Sequence, residues 1–205
     1  MEPVFFAKEF ENKNLINHIV FICDHASNYI PRKYPFNNHA EIIFKERSNL
    51  NLQQIACWSN NLSEIENFFC KELTINNPPD FNKGLIDKNF SLWRIEPFKW
   101  WIIDKNINLN ENLGTTLDMS HAFTCLNISG KEASSLLKRH IPIDLRDNIF
   151  SPASSASSAI HHVSIKLLKL TENNYYLFIP RGFALSIWEI LLETSKQFGY
   201  EILEK

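Results

Sequence analysis

The stretch from Ser91 to Ile103 reads SLWRIEPFKWWII. Leu92 to Ile95 is apolar but for Arg94, Trp100 to Ile103 is wholly apolar, and Pro97-Phe98-Lys99 separates them, so two strands joined by a turn are predicted. Successive side chains of a strand point to opposite faces of the sheet. Trp100 and Trp101 therefore lie on opposite sides, and a single covering layer buries only one of them. The other requires a second layer or a partner protein. Tryptophan buries a large area and anchors interfaces, which makes Trp100 and Trp101 the candidate interface residues.

Outward from this stretch, short apolar runs alternate with polar breaks. On the N-terminal side, Leu85-Ile86 leads into the first of the two strands, and Asn76 to Lys83 (NNPPDFNK) is a clear break. Before it, Leu62 to Leu73 has Leu62, Ile65, Phe69 and Leu73 at helical spacing and predicts an amphipathic helix. Gln53 to Trp58 predicts a strand, Pro31 to Asn38 an extended loop, and His18 to Cys23 a short buried strand. On the C-terminal side, a polar Asn-rich stretch is followed by a strand over His121 to Ile128. A turn comes next at Ser129-Gly130, with Ser129 as N-cap, and then a helix over Glu132 to Arg139. Ser151 to Ser158 (SPASSASS) is a small-residue segment, either a loop or a tight backbone contact. His161 to Leu170 and Tyr175 to Ile179 predict a hairpin, and Phe183 to Phe198 a final helix with Ile187, Ile190, Leu191 and Thr194 on one face.

Strand, helix and hairpin thus occur twice. Gln53 to Leu73 corresponds to Cys125 to Leu145, and SLWRIEPFKWWII to YYLFIPRGFALSIW. The fold class expected is α+β with duplicated strand-helix-hairpin halves, not a doubly wound sheet.

Composition narrows the chemistry. The 205 residues carry Lys+Arg 21 against Asp+Glu 23, a net charge of −2, which argues against nucleic acid as a partner. No apolar run is long enough to span a bilayer, and no basic-then-apolar leader opens the chain, so a cytoplasmic location is expected. Cys23, Cys57, Cys70 and Cys125 form no CxxC pair and read as reduced, buried thiols. There is no GxSxG elbow and no GxGxxG loop among the five glycines, which speaks against a nucleophile elbow and a Rossmann turn. Asp118, Ser120 and His121 are close in sequence, but a triad is assembled from separate elements, so a structural use is expected. His161 and His162, in a strand, would face opposite ways and not share an ion. His140 at a helix end complements the dipole. The carboxylate pairs Glu64/Glu66 and Glu111/Asp118 read as solvated faces.

Two resemblances bear on function. Cys23-Asp24-His25-Ala26-Ser27-Asn28-Tyr29-Ile30-Pro31 resembles the N-terminal motif of N-formylglutamate amidohydrolases. It implies a metal-dependent hydrolase in which His25, beside Asp24, serves at the metal. The later segments of that family have no counterpart here.

The other resemblance spans about residues 40–205. Glu46 to Trp58 (ERSNLNLQQIACW), Leu92 to Ile103, Leu117 to Ser129 (LDMSHAFTCLNIS), Gly130 to Leu145, FSPASSAS from Phe150 and Ile179 to Trp188 (IPRGFALSIW) resemble the gamma subunit of heterotetrameric sarcosine oxidase. This implies a fold similar to the folate-binding domain of aminomethyltransferases. Residues 1–38 would be an N-terminal segment of separate role and 39–205 the gamma-like domain. The function implied is that of a noncatalytic structural and interaction subunit of a flavoenzyme complex that demethylates sarcosine to glycine and passes the one-carbon unit to tetrahydrofolate. The partners implied are the alpha subunit, with beta and delta in the assembly. FAD, FMN, NAD and tetrahydrofolate are then held by partner subunits, and this chain has no catalytic, cofactor or metal residue. The alternatives are the amidohydrolase using His25 and a folate-binding module.

Overall fold

The computed structural model describes residues 40–203 and the backbone of Lys33–Tyr34. Cys23, Asp24, His25 and the strand expected over His18 to Cys23 lie outside the described residues.

The elements run in the order β1 (Lys33–Tyr34), β2 (Ile42–Glu46), β3 (Leu52–Cys57), α1 (Leu62–Glu72), β4 (Gly84–Ile86), β5 (Ser91–Glu96), β6 (Lys99–Ile103), β7 (Gly114–Asp118), β8 (Phe123–Ser129), α2 (Ala133–Lys138), β9 (Ser155–Ile160), β10 (Val163–Thr171), β11 (Asn174–Pro180), α3 (Ala184–Ser195) and β12 (Tyr200–Leu203). They build two sheets. One is seven-stranded, in the order β1-β12-β2-β8-β11-β10-β9, and the other five-stranded, in the order β4-β5-β6-β3-β7. All pairings are antiparallel except β12 with β2.

The two tryptophans explain the layering. Trp100 and Ile102 of β6 join Ile55 of β3 and Leu92 of β5 against Ile65 and Phe69 of α1. Trp101 and Ile103, one residue on in each case, join Trp93, Cys125, Leu168 and Phe178 between the two sheets. A third core lies on the outer face of the seven-stranded sheet, where Phe44, Leu126, Ile165, Tyr175 and Leu177 meet Leu136 of α2 and Ile187, Trp188 and Leu191 of α3. The order of layers is helix, sheet, sheet, helices. The expectation that Trp100 and Trp101 are interface residues is therefore corrected. Their relative exposures are 0% and 1%, because both covering layers come from this chain. Phe69 meets Trp100 edge-on at 5.4 Å with the Arg94 guanidinium 5.0 Å above the indole, and Phe123 and Phe178 each lie 5.1 Å from Trp101.

The sheets are stitched together along one edge. The Gly84 amide donates to the Ala153 carbonyl at 2.8 Å and the Ser155 amide to the Asn82 carbonyl at 2.8 Å. Lys83 Nζ donates to Ser154 Oγ at 2.9 Å and Ser151 Oγ at 3.2 Å. The small side chains of SPASSASS permit that approach. The segment is partly a tight contact, as one reading of it had it, but from Ser155 onward it is the edge strand β9.

Other expectations change in detail. The predicted strand running from Leu85-Ile86 into Leu92 is two strands, β4 and β5, paired in a hairpin. Lys33–Tyr34, inside the predicted loop, pairs with β12. Ser129 does not cap a helix: it ends β8, paired to Ile43 and Asn174, and α2 begins at Ala133 without a side-chain cap. His161 and His162 are the exposed turn between β9 and β10, with His161 at φ 52°, not strand residues. The internal correspondence drawn from the sequence fails in one part, since SLWRIEPFKWWII is a hairpin while YYLFIPRGFALSIW runs from strand into helix.

Candidate functional site

At one end of the space between the sheets, β2 leaves the seven-stranded sheet through Arg47 to Asn51 to become β3 of the other. Nearby, β7 crosses back through Met119 to Ala122 into β8. Two adjoining hollows open there. One is an open cleft of about 370 Å³ lined by Lys45, Glu46, Arg47, Ser48, Asn127, Asn174 and Tyr176. The other, of about 80 Å³, includes Arg47, Ser120, His121, Cys125 and Arg181 in its lining.

Strand register brings the cleft residues together. Lys45 of β2 is directly opposite Asn127 of β8, and Asn127 is directly opposite Tyr176 of β11. Directly opposed residues share a face, so an ammonium, an amide and a phenol form one row across three strands. Arg47 forms an ion pair with Asp104, which follows β6, and its guanidinium lies 5.2 Å from the centre of the Tyr176 ring. This pair joins the two sheets at the cleft mouth. Burial works against the Arg47 charge, but the bond to Asp104 and the field of its neighbours outweigh it and hold the guanidinium more firmly protonated. Burial raises the Tyr176 phenol above its ordinary value, opposed by the charge of Arg47 and a hydrogen bond from it.

Ser120 is committed to the fold. Its Oγ accepts the Leu52 amide at 3.0 Å, and its own amide donates to Asp118 Oδ1 at 2.9 Å. Bonds to Ser120 also hold the Asp118 carboxyl below its usual range. The Asp-Ser-His run is thus a turn, with His121 exposed. Burial raises the thiols of Cys57 and Cys125, suiting inert core residues. Cys70 is only half-buried, with Sγ donating to the Asn76 carbonyl at 3.4 Å. His140 does not act as the helix-end cation expected: burial lowers its pKa and favours the neutral ring, with Nε2 2.9 Å from Thr194 Oγ1. Glu66 is not simply solvated but pairs with Arg94 at 3.2 Å. Glu64, Glu111 and Asp118 are exposed.

Among the described residues, no group of three or more His, Cys, Asp or Glu is placed to hold a metal ion. No described helix is long and apolar enough to cross a membrane. Sequence reasoning missed the cleft residues. Asn127 inside the apolar run TCLNIS is the one signal that pointed to a polar spot on an otherwise buried strand.

No protein-family model matches the chain, and no curated protein matches it in sequence. Solved structures do. One is a chain of the heterotetrameric sarcosine oxidase from Corynebacterium sp. U-96, solved in complex with pyrrole 2-carboxylate. The identity is 12%, the match covers 85% of this chain and 93% of that one, and the TM-score is 0.71. Another is the glycine cleavage system aminomethyltransferase T from Bartonella henselae, 11% identical over 80% of this chain and 48% of that one, with a TM-score of 0.53. The chain thus spans about half of the aminomethyltransferase and nearly all of the sarcosine oxidase chain. At such identities the likeness is one of fold: mixed sheets with few helices, close to that of aminomethyltransferases.

Proposed function

We propose that this chain is a structural and interaction subunit of a heterotetrameric, sarcosine oxidase-type flavoenzyme complex. The observation that carries the reading is the fold likeness over 93% of a chain from such an assembly. A match that nearly exhausts the other chain favours an equivalent part over a shared fragment. In this reading the alpha, beta and delta subunits are the partners, and FAD, FMN, NAD and tetrahydrofolate reside in them. The chain is noncatalytic and cytoplasmic, and residues 39–205 are its gamma-like domain.

A duplicated origin for that domain belongs to the same proposal. Its support is topological. The run β3-α1-β4-β5-β6 and the run β8-α2-β9-β10-β11 have the same element sequence, and their strands lie in the equivalent orders β4-β5-β6-β3 and β9-β10-β11-β8.

The test is purification of the tagged full chain from its native cell, with absorption spectroscopy and a sarcosine-dependent oxygen uptake assay on the eluate. Larger chains in fixed ratio, flavin absorption and oxygen uptake are expected. A colourless, solitary chain overturns the proposal.

A second reading, a folate-binding module, is favoured by the likeness to aminomethyltransferase T. Titration of the isolated chain with tetrahydrofolate checks it: saturable quenching of tryptophan fluorescence supports the module, and its absence removes it. The fold likenesses lend no support to an amidohydrolase reading for His25.

A further inference from the structure

We propose that the cleft between Lys45 and Tyr176 is a binding site for a small carboxylate that also carries an N–H donor, such as an N-acylated amino acid. The proposal does not depend on the subunit reading above.

The hydrogen-bond capacity of the cleft is fixed by one unambiguous acceptor. Asn127 Nδ2 lies 3.3 Å from the Tyr175 carbonyl and 2.6 Å from Asn174 Oδ1. A main-chain carbonyl only accepts, so the Asn127 atom facing it is its NH₂ group. The same NH₂ faces Asn174, so the Asn174 atom turned toward it is the carbonyl oxygen. Two consequences follow: Asn174 presents its NH₂ as a donor, and Asn127 keeps its Oδ1 as an acceptor.

Charge points the same way. Lys45 is exposed in the cleft wall and has no ion-pair partner among the described residues, whereas Arg47 is neutralised by Asp104. Glu46 also contributes to the lining, although strand alternation and its register opposite Leu126 assign it to the face of β2 that carries Ile42 and Phe44. The cleft therefore offers the Lys45 ammonium, the Asn174 amide donor and the Asn127 amide acceptor, with Tyr176 beside them in the lining. A carboxylate meets Lys45 and Asn174, and an N–H on the same ligand meets Asn127 Oδ1. The cleft volume of about 370 Å³ falls at the small end of ligand pockets, which run from about 300 to 1,000 Å³. Charge-assisted hydrogen bonds are the stronger class, so the ammonium–carboxylate contact is the main determinant.

Calorimetric titration of the full chain with N-acetylglycinate tests this, with N-acetylglycinamide as the uncharged control and acetate as the carboxylate lacking the N–H. Saturable binding is expected for N-acetylglycinate, weaker binding for acetate, and none for the amide. Lys45→Met should weaken binding about tenfold or more, and Asn174→Asp, which replaces a donor by a carboxylate, should weaken it as well, both with unchanged thermal midpoints. Absence of saturable binding by N-acetylglycinate overturns the proposal. So does equal binding of the amide, or binding that Lys45→Met leaves intact. Loss of complex formation in the co-purification experiment leaves this titration unaffected, so the two proposals fail separately.

Discussion

His140 shows how a tertiary contact reverses a local expectation. At the end of a helix the imidazolium would complement the dipole, yet burial against α3 and the nearby His161 and Arg139 favour the neutral ring. With its native pKa below the ordinary value near 6.5, the unfolded chain binds more protons than the folded one as pH falls through that value. Stability therefore declines with falling pH from about 6.5 downward and levels off once the native ring is protonated as well. The carboxyls of Glu96 and Asp118 are held low instead, so their contribution is lost only in more acid solution, below about 4. Urea denaturation of the wild type and of His140→Gln between pH 7 and pH 5 should show a slope in the former that flattens in the latter. Parallel curves would remove His140 from the account. The candidate cleft was largely illegible at this scale. Lys45, Asn127 and Tyr176 are far apart in the chain, and only strand register aligns them.

Elements were more readable where one face had a clear partner. The periodicity of α1 and the SLWRIE–KWWII hairpin are local patterns, and both are present within a residue or two of the expected bounds. What escaped were β1, β2, β7, β9 and β12. Serine-rich β9 has little strand propensity of its own and is held by pairing with β10 over Ser155 to Ile160. The β8–α2 turn rests on backbone geometry and not on the serine cap expected from the sequence. Gly130 sits at φ +112°, and a Cβ there would lie 2.3 Å from the Glu41 carbonyl oxygen. Gly130→Ala should cost about 2 kcal/mol or more, from the left-handed conformation and the displaced carbonyl together. A denaturation midpoint equal to the wild type's would show that the turn has room to relax.

For the whole molecule, the decisive correction is that the chain supplies both layers its adjacent tryptophans need. Trp101→Ala should therefore cost about 3–5 kcal/mol of folding stability, read by urea denaturation. A variant of unchanged stability that fails only in assembly would return Trp101 to an interface role. The way the seven-stranded sheet is closed has a further consequence. Residues 52–118 contain every strand of the five-stranded sheet, together with α1, so that layer is complete in one stretch of chain. Its neighbour is not, because β2 waits for β12 to lie alongside it in parallel, and β12 is the last strand described. On the ribosome, the smaller sheet can close while β2 still shows an unpaired edge. That edge is sealed only when Tyr200–Leu203 clear the exit tunnel. Premature termination just before Tyr200 would thus release a chain with most of its layers formed and an adhesive strand exposed, one prone to self-association rather than to simple unfolding.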